Sequence, residues 1–155
     1  RIARLVVQKL FGTVTGKRLA ILGFAFKADT YDTREAPAIR ICGDLLDEGA
    51  QLAIHDPKVE PAQMARDLKQ EAAAAADALS GTGSWALAES VEEAVSGADA
   101  VLILTEWNDY RQLNWAELAK RMRKPAWVFD ARAVADPEAV RSAGLTLWRV
   151  GDGGG

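Results

Sequence analysis

Three basic side chains and an aromatic ring stand where short apolar runs end, and their types suit a phosphorylated ligand carrying a flat base. Behind the run Arg18 to Gly23 come Phe26, Lys27, Asp29, Thr30, Asp32, Thr33 and Arg34. Thr105, Glu106 and Trp107 follow a second run, and Asp130 and Arg132 a third. Lys27 would act as a point charge toward phosphate or sugar oxygens, whereas Arg34 and Arg132 could form forked hydrogen bonds to phosphate. The same spacing is equally consistent with these cations merely pairing with Asp29, Asp32, Glu35 and Asp130. A ligand site requires Lys27, Arg34 and Arg132 to converge on one crevice.

Other residues carry less chemistry. The turn after Gly23 holds Phe24, Ala25, Phe26 and Lys27, bulky where a glycine-rich fingerprint would let a pyrophosphate approach the backbone. Asp56 occupies the place of a ribose-binding acid, but without those glycines it reads as a turn former. His55 has no partner cysteine and reads as a packed or surface histidine. Cys42, the single cysteine, sits on an apolar helical stripe and reads as a buried thiol. Trp85, Trp127 and Trp148 lie in strands and read as core. No catalytic residue and no metal ligand is assigned.

The elements that must position the rim follow from the pattern. Strands are expected at 18–23, 51–55, 85–87, 100–105, 125–130 and 145–150, the last at a sheet edge. Helical stretches lie between them, with Pro37 in a first turn and Gly49 at a helix stop. The alanine-rich stretch 71–78 reads as frayed helix plus flexible loop. Unbroken apolar strands alternating with helices predict an α/β fold, a doubly wound, Rossmann-like parallel sheet of about five or six strands with helices on both faces. Ligands of such sheets collect outside the carboxyl ends of the strands, which is where the rim residues lie.

Composition narrows the partners. The 155 residues, 49% hydrophobic and 26% charged, fit one globular domain. With 19 basic against 22 acidic side chains and a net charge of −3, no basic field points to nucleic acid or a membrane surface. No apolar run reaches the ~20 residues of a bilayer span. One cysteine excludes an internal disulfide and suits a reducing, cytoplasmic setting. The chain starts at Arg1 inside an apparent helix, and reads as cut from something longer.

The run Gly23 to Glu35 (GFAFKADTYDTRE) strongly resembles the UDP-glucose/GDP-mannose dehydrogenase family. Asp47 to Ala50, His55 to Val59, Thr105 to Trp107, Lys124 to Ala126 and Phe129 to Arg132 recur in that family's order. The phenylalanine-rich form points to the branch acting on UDP-glucose; UDP-N-acetylmannosamine or GDP-mannose siblings and a free-standing binding module are the alternatives. The resemblance implies a C-terminal UDP-binding domain over 15–151, preceded at 1–14 by the end of a connecting, dimer-forming helix and followed at 152–155 by a disordered tail. It implies that NAD is held mainly by an N-terminal domain that this chain lacks. It further implies oxidation of the sugar's C6 alcohol to a carboxylate, in two NAD-dependent steps on a cysteine that Cys42 does not match. Phe26, Lys27 and Arg132 would contact the nucleotide sugar, and Arg34 the NAD pyrophosphate. Ala36 and Ala133 depart from the family, standing where serine and a larger polar residue are common. The chain alone is expected to be inactive.

Overall fold

Each apolar run becomes a strand because the sheet buries it on both faces, where alternation of polar and apolar residues has no role. A computed structural model of the chain describes residues 1–152. The strands are β1 (Arg18–Leu22), β2 (Gln51–His55), β3 (Ser84–Leu87), β4 (Ala100–Ile103), β5 (Trp127–Asp130) and β6 (Thr146–Arg149). They pair in parallel throughout, in the order β3-β2-β1-β4-β5-β6. All four residues of β4 are buried, as are four of the five in β1. The winding reverses between β1 and β4, so a crevice is expected outside their carboxyl ends.

The helices are α1 (Ile2–Lys9), α2 (Pro37–Asp47), α3 (Pro61–Leu68), α4 (Val91–Val95), α5 (Trp115–Arg121) and α6 (Pro137–Ser142). One group runs α1–α2–α3 and another α4–α5–α6, with α4 lying on β1 and β2. Prolines open α2, α3 and α6 at positions where the missing N–H costs nothing. Ser90, Asn114 and Asp136 cap α4, α5 and α6 through their side chains. Ala36 heads α2 with no such bond, as its missing hydroxyl dictates. At the other end of the chain's first element, the Lys17 ammonium donates to the carbonyls of Leu10 and of Thr13 (2.8 Å) just past α1. Ala3, Val6 and Leu10 are buried, so α1 is docked on the domain.

Two expectations need correction. The alanine-rich stretch forms no α-helix; only a 3-10 turn at Ala76–Ala78 appears. Tertiary bonds override alanine's helix preference there. The Ala73 N–H donates to the Trp85 carbonyl (2.8 Å), the Trp85 indole to the Gln70 carbonyl (2.9 Å), and Ala76 is buried. Of the three strand tryptophans only Trp85 is fully core. Trp127 and Trp148 are half-buried, Trp148 on edge strand β6 and Trp127 stacked on Phe129 at 5.3 Å. Of the tail expected at 152–155, Asp152 pairs with Arg149 (3.3 Å), and positions 153–155 lie outside the described residues. No helix among the described residues is long and apolar enough to cross a membrane.

Candidate functional site

The loops at the carboxyl edge of the sheet are tied together by one buried carboxylate at the end of β2. Asp56 Oδ2 accepts hydrogen bonds from the backbone N–H groups of Phe24 (2.7 Å) and Ala25 (3.0 Å) and from the Trp107 indole (3.1 Å). Its Oδ1 accepts from the N–H groups of Lys58 (2.9 Å) and Val59 (3.0 Å). Asp56 is therefore the turn former expected after β2, and also the tie between the loops after β1, β2 and β4. Thr105 adds a second tie, its buried hydroxyl donating to the Ala25 carbonyl (2.8 Å).

These ties decide which aromatic faces outward. Phe24 is wholly buried, whereas Phe26, two residues on, is 44% exposed. The Phe26 N–H donates to the Asp32 carbonyl (2.8 Å), which closes the loop behind it. Lys27 is exposed and forms no salt bridge among the described residues. Trp107 is buried and committed to Asp56, so it is a structural residue of the rim and presents no face to a base.

The two arginines differ. Arg34 forks onto Asp32, with Nε to Oδ1 at 3.1 Å and Nη2 to Oδ2 at 2.8 Å, and its side chain is 88% exposed. Hydrogen bonds from the Arg34 side chain and backbone hold the Asp32 carboxyl down at about 2. Arg34 lines a hollow with Thr30, Tyr31, Asp32, Thr33 and Gln63 of α3. Arg132 instead donates from Nε (2.8 Å) and Nη2 (2.5 Å) to a single oxygen, Glu106 Oε1. Both side chains of that pair are about one-third exposed, at 29% and 31%. Burial raises the Glu106 carboxyl, but the Arg132 bond and the N–H groups of Glu106 and Ala28 outweigh it, leaving the group below its ordinary range.

Arg34 thus takes one of the carboxylates considered from spacing, while Arg132 takes one that spacing did not suggest. Glu106 was visible only as a residue following β4; its partner lies 26 positions downstream. Through Arg132 it joins the loop after β5 to the loop after β4. Arg132 itself sits in a loop pinned by Asp130, whose carboxylate accepts from the N–H groups of Arg132 (3.1 Å) and Ala135 (2.8 Å). Ala133 has φ 58°, a left-handed conformation that disfavours alanine.

The remaining titratable candidates are structural. Cys42 is fully buried on α2, and burial pushes its thiol pKa up, so no thiolate nucleophile is available there. His55 Nδ1 lies 2.8 Å from the Tyr110 hydroxyl. Burial lowers the His55 pKa, against the raising influence of Asp56, Asp109 and Glu92. The folded state therefore resists a proton that the unfolded chain accepts, and stability falls as pH drops through about 6.5. Denaturation of wild type and His55→Asn at pH 7.5 and pH 5.5 checks this. The substituted protein, which cannot titrate there, should lose less stability on acidification; equal losses would remove His55 as a source.

A cofactor's pyrophosphate does not fit the β1 turn. The Phe24 and Ala25 N–H groups, which a glycine-rich turn would offer to phosphate, are already given to Asp56, and Phe24 is wholly buried. No group of side chains able to hold a metal ion occurs among the described residues.

Comparison with known proteins bears on the family and the fold. Residues 20–137 match the model of the UDP-glucose/GDP-mannose dehydrogenase family, UDP binding domain. The chain is 42% identical to UDP-glucose 6-dehydrogenase 5 of Oryza sativa subsp. japonica over 161 residues, covering 97% of this chain and 33% of that protein. It is 46% identical to the UDP-glucose 6-dehydrogenase of Rattus norvegicus over 136 residues, covering 88% of this chain and 27% of that protein. The fold of an NDP-N-acetyl-D-galactosaminuronic acid dehydrogenase from Methanosarcina mazei Go1 superposes with a TM-score of 0.72 at 22% identity, over 96% of this chain and 28% of that one. The chain thus spans about a third of the length of the relatives it matches. A parallel sheet in this order, the motifs along its carboxyl edge and a family match across most of its length place the chain in the UDP-glucose/GDP-mannose dehydrogenase family, as its UDP-binding domain.

Proposed function

We propose that this chain is the nucleotide-sugar-binding part of an NAD-dependent UDP-glucose 6-dehydrogenase, which converts UDP-glucose to UDP-glucuronate in the cytoplasm. The observation that carries the reading is the rim at the β1/β4 reversal. There an exposed Phe26, an exposed Lys27 and a half-buried Arg132 stand on a family member whose relatives bear that enzyme's name. Phe26 offers a flat apolar surface, while Lys27 and Arg132 offer cations to a diphosphate. NAD belongs mainly to a separate N-terminal domain, with Arg34 reaching its pyrophosphate from the exposed hollow. In the whole protein α1 ends a connecting helix at a homo-oligomer contact. Hydride transfer needs the nicotinamide held near the reacting carbon; here the β1-turn N–H groups are given to Asp56 and the single thiol, Cys42, is buried. The chain by itself is a binding domain without turnover.

Thermal shift against UDP, UDP-glucose, GDP-mannose and NAD tests this. UDP and UDP-glucose should stabilise the chain by roughly 2.7 kcal/mol at about 100 times their dissociation constant. For a domain of this size that is a rise of roughly 5–10 °C. Arg132→Ala should weaken UDP by roughly 10- to 100-fold, the range expected for lost hydrogen bonds from a charged group. A selective response to GDP-mannose would overturn the substrate assignment, and NAD-dependent turnover by the chain alone would overturn the division of labour.

A further inference from the structure

We propose that Glu106 is the positioning residue of the nucleotide site: it holds the Arg132 guanidinium side-on, so that the outer N–H groups are ready for a diphosphate. The inference rests on the reading that Arg132 contacts the nucleotide. An arginine has five N–H donors on a long, freely rotating stem. Here Nε and Nη2 both point to one oxygen, Glu106 Oε1, and no other side chain among the described residues receives a hydrogen bond from Arg132. The donors on Nη1 and the second on Nη2 remain for a ligand.

Glu106 is well placed for this task. It follows Thr105, which is anchored to Ala25, and precedes Trp107, which is anchored to Asp56. Its own backbone is thus held on both sides by buried bonds. Lys27, the other cation of the rim, stands on the loop that Thr105 and Asp56 tie to this same segment. Glu106 therefore fixes Arg132 from a segment that is itself anchored. Without it, binding would have to immobilise Arg132 from a free state, at a cost in affinity of about three- to tenfold. A neutral amide retains the Oε1 acceptor, so the role is geometric and survives loss of the charge.

Titration calorimetry with UDP on wild type, Glu106→Ala, Glu106→Gln, Arg132→Ala and the Glu106→Ala/Arg132→Ala pair tests this. Nitrogen-15 NMR of the Arg132 Nε–H in the absence of ligand accompanies it. Glu106→Ala should weaken UDP about three- to tenfold and Glu106→Gln by less than about twofold. The alanine effect should vanish in the Arg132→Ala background. The slowly exchanging Nε–H signal of wild type should persist in Glu106→Gln and disappear in Glu106→Ala. A Glu106→Ala affinity equal to wild type, or an equal loss with Arg132 already removed, overturns the positioning role while leaving the nucleotide site standing. UDP binding that Arg132→Ala does not weaken, or none at all in wild type, overturns the nucleotide reading and the positioning role together.

Discussion

Replacing Asp56 with alanine is expected to destabilise the domain by about 3–5 kcal/mol, a large fraction of the ~5–15 kcal/mol that holds a typical domain together. The carboxylate is 8% exposed and accepts from four backbone N–H groups and one indole N–H. Each buried donor left unpaired costs roughly 1–3 kcal/mol, and water entering the vacated space recovers part of the sum. Asp56→Asn keeps one oxygen but turns an NH2 group toward donors, so it should lose about half as much. Urea denaturation at pH 7.5 reads both changes as a shift in midpoint at constant slope. A loss below about 1 kcal/mol for the alanine variant would mean that these five bonds contribute far less than the unpaired-donor cost implies. The consequence reaches the rim, because the Phe24 and Ala25 N–H groups immediately precede Phe26 and Lys27. The response to UDP should fall along with stability.

Asp56 also shows how far a sequence can be read. Its Oδ1 makes the local turn to Lys58 and Val59, which an aspartate before proline announces. Its Oδ2 reaches residues 31, 32 and 51 positions away, and nothing in the local pattern encodes those partners. The strands were legible because burial on both faces leaves an unbroken apolar run, and β2 and the start of β1 fall where the run predicts. The carboxyl-edge rule located the rim residues. It did not reveal that Trp107 turns inward, that Phe26 turns outward, or that Arg132 chooses Glu106 over Asp130. Each of those outcomes depends on a loop from another strand. The alanine-rich stretch failed for the opposite reason: its local preference was clear, and bonds to Trp85 and Gln70 overrode it.

The rim is thus a product of how closely two strands approach. Asp56, Thr105 and Glu106 can tie the loops after β1, β2 and β4 only if the ends of β1 and β4 lie almost in contact. The residue that permits this is Gly23, the first of the loop.

Gly23→Ala is accordingly expected to cost about 3–5 kcal/mol, the sum of a clash in a packed site and a left-handed backbone. Gly23 has φ 99°, and its N–H donates to the His55 carbonyl (2.8 Å). An added Cβ would collide with the Thr105 Cβ and lie 2.5 Å from its Oγ1 and 2.7 Å from its backbone nitrogen. Thr105 cannot simply withdraw, since it is wholly buried and bonded to Ala25. Two contributions can be separated by a second substitution. Thr105→Ala in the Gly23→Ala background removes the hydroxyl but leaves the Cβ, the backbone nitrogen and the positive φ, so only a minor part of the loss should return. Urea midpoints of the two single variants and the pair measure this coupling. Full recovery in the pair would place the whole cost on the Thr105 hydroxyl. A Gly23→Ala protein as stable as wild type would show that β1 and β4 can part without penalty, and the close approach that sets the rim would lose its physical basis.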